Sequence, residues 1–178
     1  TVYRPLESFD KNEIAATELD EYFRGGYVQG VVHDETAAFT GGIQGNAGLF
    51  SNANDLAKLC QMWLNDGMYG GVQILSKETV DTFTMSKSPN SYRGLGFDKP
   101  NVEYPEYSSI CEQADPSVFG HTGFTGTSFW VDPKNDLIYI FLCNRVCPSR
   151  KNPAFGEIGA RFKIFEMIYD SLARNEQK

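Results

Sequence analysis

The run Leu137-Ile138-Tyr139-Ile140-Phe141-Leu142-Cys143 is apolar at every position. A strand of that kind has no face to give to water and must be covered on both sides. It follows the β-rich stretch 126–131 across Asp132-Pro133-Lys134-Asn135-Asp136, and two such runs around a turn-forming segment read as an antiparallel hairpin. Helices layered on each side of an antiparallel sheet meet the demand for cover. One cover is present in the sequence. Phe155, Ile158, Phe162, Phe165, Tyr169 and Leu172 recur with helical spacing over 155–172, and Ile164 and Ile168 widen the stripe.

At 178 residues the chain is the size of one ordinary domain, and a second independent core is not expected. The apolar run is far short of the roughly 20 residues that cross a bilayer. The first residues lack the basic-then-apolar layout of a secretory signal, as expected for a mature, processed or excised soluble segment. Sixteen Lys and Arg against 23 Asp and Glu leave a formal charge of −7, which argues against nucleic acid as a partner. Two histidines and one Cys143-x-x-x-Cys147 pair among four cysteines do not make a four-ligand zinc site. Free thiols are the simpler reading, with a single disulfide as the alternative, and no cofactor or metal is implied.

Residues 1–50 read as mostly loop, punctuated by glycine. Within them 14–23 is a short helix candidate, with Ile14, Leu19, Tyr22 and Phe23 as its apolar side. Residues 51–93 read as helical. Asn52 is placed to cap a helix that carries Leu56, Leu59, Cys60, Trp63 and Leu64 at helical spacing and is stopped by Asn65-Asp66-Gly67. Ser76 is placed to cap a second helix with Val80 and Phe83 on its buried side. The polar stretch 85–92, containing Pro89, reads as loop. Residues 94–178 supply the sheet strands and terminal helix: a strand start at 94–97, a long acidic loop over 98–118, then the hairpin and helix.

The stretch Phe119-Gly120-His121-Thr122-Gly123-Phe124-Thr125-Gly126-Thr127 holds a histidine, hydroxyls and three glycines beside a core strand. Glycine there lets another group approach the backbone and leaves amides free to donate, so a rim amide is placed to stabilise an oxyanion, with His121 and Thr122 as polar or proton-handling groups. His33-Asp34-Glu35 reads as a loop-fixing hydrogen-bond network, because neighbours in extended chain point apart. Glu103, Glu106, Glu112 and Asp115 read as a solvated loop. Gly41-Gly42-x-x-Gly45 lacks the preceding strand and the lysine of a phosphate loop.

Four segments in order, Gly30-Val31-Val32-His33-Asp34-Glu35, then Gly45-Asn46-Ala47-Gly48-Leu49-Phe50-Ser51 leading into Asp55-Leu56-Ala57, then His121-Thr122-Gly123-Phe124-Thr125-Gly126, and last Asn144-Arg145-Val146-Cys147-Pro148, resemble the C-terminal half of the serine β-lactamase-like hydrolases. That family includes class C β-lactamases, D,D-peptidases and esterases. The form most resembled is the one fused behind family 3 β-N-acetylhexosaminidases of Gram-negative bacteria. The resemblance implies an α/β (α+β) architecture, a partial β-lactamase-like fold whose antiparallel sheet is flanked by helices and whose N-terminal half, with the nucleophile helix, is absent. On that expectation residues 1–178 form the C-terminal portion of one such domain.

By the same resemblance His121, Thr122 and Gly123 match the family's His-Thr-Gly or Lys-Thr-Gly strand, and Phe124 gives an oxyanion-hole amide. Gly123 and Thr125 would contact substrate, with Tyr104 and Tyr107 on the rim, while His33, Asp34 and Asn46 hold loops. Ser8-Phe9-Asp10-Lys11 matches the family's Ser-x-x-Lys only as a string. No long apolar helix follows it, so the nucleophile is expected outside this chain and the isolated segment is expected to be inactive. The implied function is part of a periplasmic or secreted serine hydrolase that attacks an amide or ester through an acyl-enzyme. A noncatalytic cell-wall or carbohydrate-binding accessory domain beside a glycoside hydrolase is the alternative. The implied partners are the missing half or a swapped homodimer, a fused glycoside hydrolase domain, and a small acyl or peptidoglycan-related substrate.

Overall fold

The computed structural model describes residues 1–85 and 89–175. Its centre is a three-stranded antiparallel sheet of β7 (Phe119–Thr122), β8 (Ser128–Asp132) and β9 (Leu137–Phe141), in that spatial order. In register, Gly120 faces Trp130 and Trp130 faces Tyr139, while Val131 faces Ile138. Because successive side chains alternate across a sheet, these pairs sort into two cores. Trp130 and Tyr139 pack with Phe165, Tyr169, Ile110 and Val118 on one side; Phe119 and Val131 pack with Cys60 and Phe97 on the other. Helix α2 (Ala53–Leu64) covers the second side, with Trp63 edge-on to Phe97 at 4.9 Å. Helix α5 (Ala160–Asn175) covers the first, with Phe165 4.8 Å from Tyr139.

Helix boundaries follow local chemistry. Asn52 Oδ1 accepts from Asp55 N at 3.0 Å at the start of α2, satisfying one orphan amide. At its end Gly67 N reaches Met62 O at 2.8 Å and Asp66 N reaches Trp63 O at 3.2 Å, the paired bonds of a Schellman stop. Ser76 Oγ accepts from Thr79 N at 3.1 Å at the head of α3 (Lys77–Met85). Part of the expected 85–92 loop, residues 86–88, lies outside the described residues, and Met85 closes α3. The terminal helix is not continuous as expected over 155–172. Gly159, at φ +60°, separates α4 (Ala154–Ile158) from α5.

The N-terminal region departs most from expectation. Residues 1–50 carry β1 (Val2–Tyr3) paired with β4 (Leu49–Phe50), β2 (Ala16–Asp20) paired with β3 (Gly26–Gln29), and the short helix α1 (Glu35–Phe39). The helix expected at 14–23 is therefore a hairpin arm. Asp20 Oδ1 accepts from the amides of Tyr22 and Phe23 at 3.0 and 2.9 Å and so turns the chain where a helix would continue. Glu18 and Asp20 are buried while Leu19 is exposed, the reverse of the polarity that suggested an apolar helix face. The strand expected at 94–97 is reduced to a bridge between Asp98 and Gly120. A turn bond from Gly94 N to Phe97 O at 2.9 Å, with Gly96 at φ +81°, takes its place. A small hairpin, β5 (Met68–Tyr69) with β6 (Val72–Gln73), joins α2 to α3.

Strands and helices thus run from Val2 to Asn175, and the N-terminal hairpin is built into the rest. Leu19 N bonds Pro148 O at 2.8 Å, and Glu18 binds Arg150. The expectation of a partial β-lactamase-like fold is corrected, since helices and sheets run across the chain, and residues 1–50, expected as mostly loop, carry two strand pairs and a helix. Among the described residues no helix is long and apolar enough to cross a membrane.

Candidate active site

The candidate site forms where β7 ends. His121 and Thr122 are its last two residues, and the chain then reverses through 123–127 into β8. Gly126 N donates to Gly123 O at 3.0 Å, which makes Phe124 and Thr125 the central positions of a β-turn, and Gly123 N donates to Thr127 O at 2.7 Å. The glycines serve the protein's own packing. A Cβ on Gly120 would stand 2.1 Å from Phe129 O, and one on Gly123 would stand 2.4 Å from Thr127 Oγ1. Among the described residues the Phe124 N–H reaches no backbone carbonyl, as expected at the second position of a β-turn.

The carbonyls of this turn are all held. Arg145 N donates to Thr125 O at 2.7 Å and Arg145 Nε to Phe124 O at 2.7 Å. Arg161 Nη1, from α5, donates to Gly123 O at 3.3 Å and Thr127 O at 3.1 Å. Beneath the turn the Cys143 thiol donates to Gly126 O at 3.3 Å. All four cysteines are free thiols, and burial pushes those of Cys60 and Cys111 up to about 11, which leaves them inert as nucleophiles near neutral pH.

His121 is engaged at both ring nitrogens. Arg93 donates a guanidinium N–H to Nε2, and Nδ1 lies 2.6 Å from Thr122 O. A guanidinium can only donate, so Nε2 is the acceptor and Nδ1 carries the proton shared with Thr122 O. In this arrangement the ring has no lone pair open to a substrate, which bears on the proton-handling role expected for it. Arg93 lies 3.9 Å from the buried Asp98, whose backbone bonds both ways with Gly120. The segment 93–98 therefore holds both the β7 backbone and the histidine.

The structure also brings His33 to Phe124. The two rings stack with centroids 5.7 Å apart, and the guanidiniums of Arg145 and Arg150 lie 4.7 and 5.8 Å from the Phe124 ring centre. His33 Nε2 bonds Glu18 at 2.7 Å, Arg150 bonds both Glu18 oxygens at 3.0 and 2.8 Å, and Arg150 reaches Glu35 at 2.8 Å. Burial pushes the Glu18 carboxyl upward, but the hydrogen bonds from Arg150 and His33 outweigh it and hold the group down at about 2. Asp34 accepts from Ala37 N at 2.7 Å as the cap of α1, and Asn46 is exposed within a turn closed by Gln44 N and Ala47 O.

Tyr104 and Tyr107 are exposed on a 3₁₀ turn, Pro105–Tyr107, and their rings meet each other at 6.5 Å. Thr125 is half-buried. Ser8 and Lys11 are exposed, Ser8 closing the 3₁₀ turn Pro5–Glu7 and Lys11 opening the next, Lys11–Glu13. No α-helix carries that pair. Among the described residues no group of three or more His, Cys, Asp or Glu is placed to hold a metal. Arg93, Arg150, Arg161 and Glu18 carry no local sequence pattern, and Arg145 lies in the segment 144–148 without a role that the sequence assigns to it.

A model of the beta-lactamase family matches residues 8–156. The chain is 40% identical over 175 residues to an Escherichia coli O157:H7 protein named "Putative D-alanyl-D-alanine carboxypeptidase", covering 89% of this chain and 40% of that protein. It is 39% identical over 175 residues to the protein of that name in E. coli strain K12, with the same coverage. With the Salmonella typhi protein of that name it shares 38% over 165 residues, covering 86% of this chain and 38% of the other. The chain spans about 40% of the length of these curated relatives. The family match begins at Ser8 and takes in most of the chain, including the β2–β3 hairpin and α1. It overturns the expected confinement to a C-terminal half.

Proposed function

The chain belongs to the beta-lactamase family, and on that premise we propose that the protein is a serine hydrolase that opens an amide or ester through an acyl-enzyme, with residues 121–125 forming the oxyanion side. The observation that carries this reading is the Phe124 N–H: it follows the His-Thr-Gly strand, has no backbone acceptor among the described residues, and sits in a turn whose carbonyls are all held. When a serine oxygen adds to a carbonyl carbon, negative charge gathers on the carbonyl oxygen. A donor already in place stabilises it without reorganising, and such donors contribute about 10²–10³ in rate. Collapse expels the amine or alcohol and leaves the acyl-serine, which water then cleaves.

In this reading Gly123 and Thr125 contact the substrate backbone, Thr122 and His121 line the wall, and Tyr104 and Tyr107 stand on the outer rim. The names of the relatives favour a D-alanyl-D-alanine amide or a similar small acyl compound as substrate. Peptidoglycan-related substrates of that kind lie outside the cytoplasmic membrane, so a periplasmic or secreted location belongs to the proposal.

The test is labelling with a fluorophosphonate, followed by peptide mapping, on the full-length protein and two variants. Proline fits the second position of a β-turn but has no N–H, so Phe124→Pro deletes the donor and keeps the turn. Its labelling should slow by about 10²–10³, whereas Phe124→Ala, which removes only the ring, should stay within a few-fold. Equal rates for the two variants would sink the oxyanion assignment. A folded protein that takes no label would overturn the hydrolase reading in favour of an accessory role beside a glycoside hydrolase.

A further inference from the structure

The peptide that carries the Phe124 N–H has the Gly123 carbonyl at its other end. A trans peptide is planar, and its C=O and N–H point in opposite directions. Whatever grips Gly123 O therefore aims the Phe124 N–H. Gly126 N grips it at 3.0 Å from within the turn, and Arg161 Nη1 grips it at 3.3 Å from outside. The same Nη1 lies 3.1 Å from Thr127 O, the acceptor of Gly123 N, so one guanidinium nitrogen ties both ends of the loop.

Arg161 is well placed for this. It stands in the first turn of α5, four and eight residues before Phe165 and Tyr169, whose side chains are buried against the sheet. Its position is thus set by the core and not by the turn it holds. Burial lowers its pKa from the usual arginine value, and among the described residues it makes no ion pair with a carboxylate. A half-buried guanidinium without an acid partner needs other acceptors. Here its donors go to two backbone carbonyls beneath the site.

We propose that Arg161 is a positioning residue of this site: from α5 it grips the Gly123 and Thr127 carbonyls and so aims the Phe124 N–H at the developing oxyanion. The proposal rests on the reading of Phe124 as the oxyanion donor. It assigns to the terminal helix a part in the chemistry that goes beyond covering the sheet.

The experiment measures one-bond N–H residual dipolar couplings on the ¹⁵N-labelled full-length protein and on Arg161→Met and Arg161→Lys, with hydrolysis of p-nitrophenyl butyrate measured alongside. In Arg161→Met the Phe124 coupling should shift toward zero while those of β8 and β9 stay as in the parent. The kcat should fall about 10- to 100-fold, the scale of a misplaced group, with KM within about twofold. Lysine keeps the charge but lacks the planar fork, so Arg161→Lys should give an intermediate coupling and serves if the methionine variant does not fold. An unchanged Phe124 coupling in either variant overturns the proposal, as does a change shared by the whole sheet. If the parent does not turn over the ester, the hydrolase reading fails on that result alone, and the couplings still decide whether Arg161 aims the amide.

Discussion

The sheet β7–β9 and the hairpin β2–β3 are both antiparallel, yet they differ in what they bury. Trp130, Tyr139, Phe165 and Val131 are buried in the first, and apolar contact with α2 and α5 holds it. In the second Val28 is buried, but the residues buried opposite and beside it are Glu18 and Asp20, each against an arginine, and Leu19 and Tyr27 face outward. Apolar burial is nondirectional and tolerates salt and pH. A buried carboxylate is stable only while its partners stay charged and in place. The candidate site lies between the two regimes, with its backbone on the apolar sheet and the Phe124 ring on the ionic cluster.

That contrast is broken most sharply from the apolar side. Phe165→Ala should cost about 3–5 kcal/mol, with little dependence on salt, in urea unfolding. Arg150→Met leaves Glu18 buried without its main partner and should cost about 2 kcal/mol, below the full value for a buried pair because the arginine side chain is 37% exposed. Here the loss should shrink when Glu18→Gln is added, and additive losses would show that the pair does not hold the hairpin.

Acid sharpens the same comparison. Glu18 sits at about 2 in the folded chain against an ordinary glutamate value of 4.5. Its pKa is depressed by folding, so its stabilisation is fully present above pH 4.5 and is lost as pH falls from there toward 2. Stability followed by circular dichroism should decline across that window, and Glu18→Gln should flatten the decline while Phe165→Ala leaves its slope unchanged. The smallest effect belongs to a helix end that neither region controls: Asn52→Ala should cost about 1 kcal/mol through loss of the cap.

Legibility in the sequence follows the same division. The hairpin at 126–143, its turn and the caps Asn52 and Ser76 could be read because each rests on spacing within a few residues. The helix expected at 14–23 failed because its pattern assumed that apolar side chains turn inward. What turns inward is Glu18, and its partner Arg150 lies 132 positions away. The continuous helix over 155–172 failed at one residue, Gly159 in a left-handed conformation, although its apolar stripe was sound. In the candidate site the stretch 119–127 stands out in local composition, while Arg93 and Arg161 come from 28 and 38 positions off.

By itself, then, the sequence determined the parts governed by short-range chemistry: a doubly covered β-strand, the hairpin that feeds it, capped helices, and a glycine-rich strand end with an amide to spare. Only the tertiary structure decided which charges would be buried together, that His121 has both nitrogens occupied, and that an arginine of the last helix holds the turn that carries Phe124. Periodicity is a property of neighbours along the chain, whereas a buried ion pair or a gripped carbonyl depends on which distant segments the fold places within 3 Å of one another.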